Sequence, residues 1–97
     1  MKIMALEIPV PNVDRAQFGP HIKPEARRVW ELIQSGELRE IYRRGDGKGH
    51  VLMFECASVA EAQTLVDSLP LVREKLIAFD LIPLGPYPGL GTLFADS

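Results

Sequence analysis

The chain has 97 residues, which at about 100 to 200 residues per domain predicts one domain spanning 1–97 and excludes a second. Apolar residues make up 46% and charged residues 25% of the sequence, a composition typical of a folded globular domain and not of a disordered or fibrous chain. The 11 basic and 13 acidic residues give a net charge of -2, so no basic surplus exists for binding nucleic-acid phosphates.

The single cysteine and the N-terminal segment bear on the cellular compartment. Cys56 has no partner for a disulfide within the chain, and Glu7 and Pro9 interrupt the apolar run that begins at Met1. We therefore expect a cytoplasmic protein without a secretory leader. No apolar stretch of the sequence approaches the roughly 20 residues that span a bilayer, so no membrane partner is expected. A domain of this size buries only about two thirds of its unfolded surface, which favours a homodimer or a higher homo-oligomer.

The first third of the chain predicts a strand followed by a helix. The segment Lys2–Val10 has the alternation of a half-buried strand. In the segment Pro24–Ser35, the proline suits the first helical position, and Gly36 suits the C-terminal cap. Apolar residues recur at helical spacing and predict a core-facing stripe formed by Ala26, Val29, Trp30 and Ile33.

The middle of the chain predicts a hairpin and a second helix. Leu38–Arg44 and His50–Cys56 are strand-like, and the glycine-rich loop between them accepts the positive φ angles of a tight antiparallel connection. Ser58 and Glu61 have the spacing of a capping box, in which each side chain satisfies a free backbone N–H at a helix start. The helix that begins there is expected to end at Pro70, which lacks the N–H donor.

The C-terminal third completes the pattern. Leu71–Leu76 is expected to add a helical turn, Ile77–Leu84 to form the last strand, and the Pro- and Gly-rich tail Tyr87–Phe94 to dock without regular structure. The order β-α-β-β-α-β predicts an α+β, ferredoxin-like fold, with a four-stranded antiparallel sheet and two helices on one face. We expect the uncovered face to pack against a second copy, which would give a dimeric α+β barrel with a cavity inside.

Strand parity assigns side chains to the two faces of this sheet, because successive residues of a strand point to opposite faces. An error of one residue inverts the assignment of a whole strand. The helices are expected to cover Met4, Leu6, Ile8, Leu52, Phe54 and Cys56, leaving Ile3, Ala5, Glu7, Val51, Met53 and Glu55 on the opposite face.

Short features between positions 36 and 86 resemble a known family. These features are Gly36-Glu37-Leu38-Arg39, Tyr42-Arg43, Phe54-Glu55, Ser58-Val59 and Leu69-Pro70-Leu71. On them, about half of the chain resembles the muconolactone isomerase family of the dimeric α+β barrel superfamily, whereas the C-terminal tail does not share the resemblance.

The resemblance implies an enzyme of aromatic-compound catabolism that moves a proton within an unsaturated lactone carboxylate. It implies a small organic acid as substrate and neither a metal nor an organic cofactor. Such a reaction needs a base that takes a proton from carbon, and cations that hold the carboxylate and stabilise enolate-like charge. Because one fold serves many functions, the alternative is a non-catalytic small-molecule-binding or assembly member of the same superfamily.

The preferred candidates for catalytic proton carriers are Glu55, Glu25 and His21, and His50 is considered beside them. Glu55 lies in an otherwise apolar strand, where it would be either a desolvated base or the partner of an arginine on the neighbouring strand. Glu25 falls in the first turn of the first helix, where it would face the pocket or simply complement the helix dipole. His21 precedes that helix and His50 opens the third strand, and each is a proton carrier or an ordinary surface histidine.

Three residues are candidates for binding the substrate, namely Arg39, Arg43 and Tyr42. The two arginines share one strand face and would grip a carboxylate with their forked donors, pair with Glu55, or act as solvated edge-strand charges. Tyr42 offers a phenolic donor or packs as a strand aromatic. The pattern leaves open which face of this strand points inward, and whether the pocket lies beside the helices or inside the barrel. Cys56 has neither zinc-ligand spacing nor an electropositive setting, so we expect no metal site and an unreactive thiol.

Overall fold

The computed structural model describes residues 1–95 and has a sheet layer and a helix layer. The elements are β1 (Lys2–Pro9), α1 (Ile22–Ser35), β2 (Leu38–Arg43), β3 (His50–Glu55), α2 (Val59–Asp67), α3 (Pro70–Arg73) and β4 (Ile77–Leu84). All neighbouring strands are antiparallel, in the order β2-β3-β1-β4. The predicted ferredoxin-like α+β fold is confirmed.

The core lies between the sheet and the two long helices. Phe54 of β3 and Ile3 of β1 are fully buried beside Leu32 of α1. Ala62 and Leu65 of α2 belong to the same buried cluster. Truncating a large side chain such as Phe54 to alanine would cost about 3 to 5 kcal/mol, which is a large part of the stability of a domain this small.

The predicted faces of β1 are wrong, whereas those of β3 are confirmed. Ile3 and Ala5 pair directly with Phe54 and Leu52 of β3, and residues that pair in an antiparallel ladder point to the same face. Because β1 is apolar on both faces, its own pattern could not decide between them. The helices therefore cover Ile3, Ala5 and Glu7, and the opposite face of the sheet carries Met4, Leu6 and Ile8.

The predicted stripe of α1 is also corrected. The helix begins at Ile22 instead of Pro24 and buries Leu32, with Val29 packed against the same cluster. Trp30 is 58% exposed, because it lies one residue beyond Val29 and is turned about 100° away from the sheet. Ile22, Ala26, Trp30 and Ile33 are thus all exposed, and Ile22 and Ala26 line the open space between α1 and the sheet.

A 3-10 helix over Arg15–His21 precedes α1 and was not expected from the sequence. Asp14 caps it, since its side chain accepts from the Ala16 backbone N–H while the Gln17 side chain accepts from the Asp14 backbone N–H. Gly19 and a proline inside the segment obscure this element at the sequence level. The short helix places His21 directly before the first residue of α1.

The tail has more regular structure than expected and extends away from the body. A 3-10 helix spans Pro88–Leu93, and the side chains of Tyr87, Leu93 and Phe94 are exposed. The radius of gyration is 16.2 Å and the long axis measures 59 Å, whereas a domain of about 100 residues typically has a radius of gyration of about 13 Å. Within residues 1–95, no helix is both long and apolar enough to cross a membrane.

Candidate functional site

A cavity of about 1100 Å³ lies between the sheet and α1, which is ample for a small organic molecule. Its walls come from α1, the C-terminal half of β1, the β2–β3 hairpin and the start of α3. The apolar part of the wall includes Val29, Ile41, Leu71 and Phe79. The cavity is thus on the helix side of the sheet, one of the two positions that the sequence left open.

Glu25 reaches this cavity from the first turn of α1 and is anchored at the far side. Its Oε1 accepts a hydrogen bond of 2.9 Å from the Leu71 backbone N–H, 46 residues away. Burial raises the pKa of Glu25, and the negative charge of Glu7 acts in the same direction. The Leu71 hydrogen bond and the charges of His50 and His21 oppose this rise without cancelling it. Glu25 is therefore a partly desolvated carboxyl group held in a fixed orientation.

Glu7 and His50 form a second polar cluster on the sheet wall of the cavity. One oxygen of Glu7 lies 2.8 Å from His50 Nδ1 and 3.2 Å from the His50 backbone nitrogen, which donates to it. The Glu7 side chain is only 17% exposed, whereas that of His50 is 50% exposed. The carboxylate is therefore enclosed, and the imidazole reaches into the open part of the cavity.

Gly49 allows Glu7 to approach the backbone this closely. A Cβ at position 49 would lie 2.9 Å from Glu7 Cδ. Gly49 also has a backbone φ of +110°, which residues other than glycine rarely adopt. The glycine preceding the third strand is therefore needed both for the turn of the hairpin and for the position of the Glu7 carboxylate.

Cationic side chains surround the mouth of the cavity. Arg43 and Lys48 come from the hairpin, Arg15 comes from the first 3-10 helix, and Arg44 completes the group. Arg44 also donates to Asp46, and this hydrogen bond lowers the pKa of Asp46. Even with Arg44 paired to Asp46, the three cations Arg15, Arg43 and Lys48 outnumber the two carboxylates Glu7 and Glu25, so the mouth of the cavity suits an anionic ligand.

Of the sequence-predicted catalytic residues, the structure brings Glu25 to the cavity and leaves Glu55 outside it. Glu55 lies on the opposite face of the sheet and pairs with the N-terminal ammonium of Met1 at 3.3 Å, instead of with Arg39 or Arg43. His21 occupies the N-cap position of α1 without a capping hydrogen bond from its side chain, and its charge lowers the Glu25 pKa.

The predicted binding residues separate in the same way. Arg43 is directly opposite His50 in the β2–β3 ladder and lines the cavity. Tyr42 pairs with Val51 on the other face of the sheet, and its side chain is 59% exposed. The Nε of Arg39 donates to the Gly36 carbonyl beside a β-bulge, away from the cavity.

Sequence reasoning missed the role of Glu7 and the pairing of this residue with His50. The two residues are 43 positions apart, and the wrong face assigned to β1 placed Glu7 away from the helices. The available signal was a glycine directly before a strand that begins with histidine, because such a glycine permits a neighbouring side chain to approach the backbone. The part of the chain that the structure describes contains no group of three His, Cys, Asp or Glu residues suited to a metal ion.

Replacing Gly49 with alanine is expected to destabilise the fold by about 1 to 3 kcal/mol, because the new methyl group strains the backbone and displaces the Glu7 carboxylate. Gly45→Ala is the matched control, since a Cβ there meets nothing within 4 Å. Urea unfolding of both variants measures the difference. Equal stability of the two would show that Gly49 is not constrained.

Replacing Glu25 with glutamine is expected to stabilise the fold at neutral pH. Because the folded pKa is raised above the ordinary value of 4.5, the contribution of this carboxyl to stability is present below about pH 4.5 and is lost as the pH rises through the folded pKa. Glutamine stays neutral and can still accept from Leu71. The advantage of Glu25→Gln in urea unfolding should therefore shrink on acidification, whereas the exposed control Glu74→Gln should show no such trend. A pH-independent difference would rule out this linkage.

Comparison with known proteins identifies a structural relative. No protein-family model and no curated protein sequence matches the chain. A crystal structure of muconolactone isomerase at 3.3 Å resolution superposes with a TM-score of 0.71 and 20% sequence identity, over 91% of this chain and 92% of that one. At this level of identity the similarity shows the shared fold and leaves the activity to be argued from the site.

Proposed function

We propose that this chain is an isomerase that shifts a proton within a small unsaturated organic acid, of the kind that a lactone carboxylate such as muconolactone represents, in the breakdown of aromatic compounds. The observation that carries the proposal is the carboxyl of Glu25, partly desolvated and fixed by Leu71 inside a cavity whose mouth is cationic. A muconolactone isomerase with the same fold supports the choice of reaction class.

In this reaction Glu25 is the base. A carbon next to an unsaturated carbonyl loses its proton to the carboxylate, and the electron pair enters an enolate-like system. A carboxyl with a raised pKa is suited to the task, because its carboxylate is a stronger base than that of an ordinary surface glutamate. The transfer changes no oxidation state, so its chemistry needs no redox cofactor.

Arg43 is proposed as the anchor for the substrate carboxylate. Its guanidinium offers paired donors to a carboxylate, and it projects from the same face of the sheet as His50. Lys48 and Arg15 add positive charge at the mouth. Glu55, Arg39 and Tyr42 lie outside the cavity and have no part in this mechanism, and His21 acts only through its charge on Glu25.

We also propose that the protein is a homodimer assembled through the open face of the sheet, defined here by Met4, Leu6, Val51, Met53 and Ile82. Met53, Met4 and Ile82 are aligned across three strands, and all are partly exposed in the single chain. A row of apolar side chains on an uncovered sheet favours burial against the same surface of a second copy.

Solvent exchange tests the proposed function. The wild-type protein and muconolactone are incubated in D2O, and deuterium at carbon is followed by proton NMR. Exchange well above the buffer rate, with formation of the double-bond isomer, is expected. Saturable binding without exchange would indicate the non-catalytic alternative, and no exchange with a panel of unsaturated lactone acids would overturn the isomerase proposal.

A further inference from the structure

We propose that His50 is a second catalytic proton carrier of this cavity and that Glu7 is its positioning residue. In this arrangement Glu25 takes the proton from one carbon of the substrate, and His50 donates a proton to the second carbon. The inference rests on the proposed proton shift and adds the residue that completes it.

The contact with Glu7 fixes the tautomer of the His50 ring, that is, which ring nitrogen carries the proton when the ring is neutral. The Glu7 carboxylate lies 2.8 Å from His50 Nδ1, so this nitrogen carries a proton and donates it to the carboxylate. In the neutral ring the other nitrogen, Nε2, then has a free lone pair, and in the protonated ring it carries the transferable proton. The half-exposed ring lines the cavity, so its reactive edge is available to a ligand.

The backbone shows that this pairing is built into the sheet. The ladder between β1 and β3 ends at the pair Leu6 and Val51. Beyond it, the Glu7 carboxylate accepts the His50 backbone N–H, in the place that a strand carbonyl would otherwise take. Because Gly49 leaves room for the carboxylate, one side chain holds both the backbone and the ring of His50.

Glu25 and His50 approach the cavity from different walls, the first from α1 and the second from β3. They are close enough for the charge of His50, like that of Glu7, to affect the Glu25 pKa. The other charged groups facing the cavity are Arg15, Arg43, Arg44 and Lys48. A substrate between the two walls would therefore meet an acid or base on each side.

The proton balance of the shift is simple. A C–H bond breaks at the first carbon, its proton passes to Glu25, and its electron pair enters the enolate-like system. That system forms a new C–H bond at the second carbon with the Nε2 proton of the imidazolium, which leaves a neutral ring. Solvent then takes the proton from Glu25 and restores one to His50, so no other reactant is needed.

The test separates exchange from isomerisation. With muconolactone in D2O, His50→Gln is expected to retain deuterium uptake at the first carbon within about threefold, while isomer formation falls by about 100-fold or more. Nitrogen-15 NMR of the wild-type protein is expected to show the Nδ1-protonated form of the neutral His50 ring, and Glu7→Gln is expected to mix the two tautomers and slow isomer formation.

Each result decides between the two proposals. Wild-type exchange combined with normal isomer formation by His50→Gln would overturn this inference and leave the proposed function intact. A wild-type ring protonated on Nε2 would overturn it independently of turnover. Absence of exchange by the wild-type protein would overturn both, and a thermal melt of each variant checks that the fold is retained.

Discussion

Glu25→Gln is expected to lower kcat for isomerisation of muconolactone by about 10²- to 10⁴-fold, the range in which a positioned general base contributes to a reaction. Glutamine keeps the size of the side chain and the acceptor for the Leu71 N–H, so the cavity retains its shape. It cannot take a proton from carbon. The loss should therefore appear in kcat, with a small change in KM.

The matched control is Glu74→Gln, which removes an exposed carboxylate outside the cavity and should leave kcat unchanged. The rate of isomer formation at saturating substrate is the quantity to measure. Wild-type turnover by Glu25→Gln would exclude Glu25 as the base, because no other change in the variant could supply a proton acceptor at that place.

Met53→Lys is expected to weaken dimerisation by about 100-fold or more, since it buries an unpaired charge at the centre of the proposed interface. Met53 lies opposite Met4 in the middle of the open face. Gln34→Lys is the control, because it adds the same charge to an exposed position of α1. Sedimentation equilibrium over a range of concentrations gives the dissociation constants.

The wild-type protein and the control should both sediment as dimers at micromolar concentration, and Met53→Lys as a monomer. A monomeric wild-type protein would contradict the proposed homodimer. A dimer that Met53→Lys leaves intact would place the interface elsewhere on the chain.

The fold was predictable where local patterns have one solution. Gly47 and Gly49 of the hairpin loop have positive φ angles, and the Ser58 hydroxyl accepts from the Glu61 backbone N–H at the start of α2, so both elements are marked locally. The second half of the predicted capping box is wrong, since the Glu61 side chain accepts from the Ala57 backbone N–H and not from that of Ser58. The faces of β1 were not predictable in this way, because both faces are apolar. Only the pairing of Ile3 with Phe54 decides which side meets the helices, and pairing over that separation leaves no local signal.

The candidate site likewise combines features that the local sequence predicts with features that only the fold reveals. The sequence placed Glu25 in the first turn of a helix, and the structure adds the Leu71 contact that turns an ordinary helix-start acid into a partly buried one. The face of Arg43 stayed open until the register with His50 was known. The Glu7–His50 pair depends on the end of one ladder and on a glycine in another segment, so no single stretch of sequence contains it.

Methyl NMR of the Glu25→Gln protein titrated with muconolactone tests most directly whether the helix-side cavity is the binding site. The cavity has reporters in Val29, Ile41 and Ile77, and the open face has reporters in Met4 and Met53. Saturable shifts at the three cavity residues, with the two methionines unchanged, are expected. Shifts confined to the methionines, or no shifts at substrate concentrations that saturate wild-type turnover, would contradict binding in the helix-side cavity.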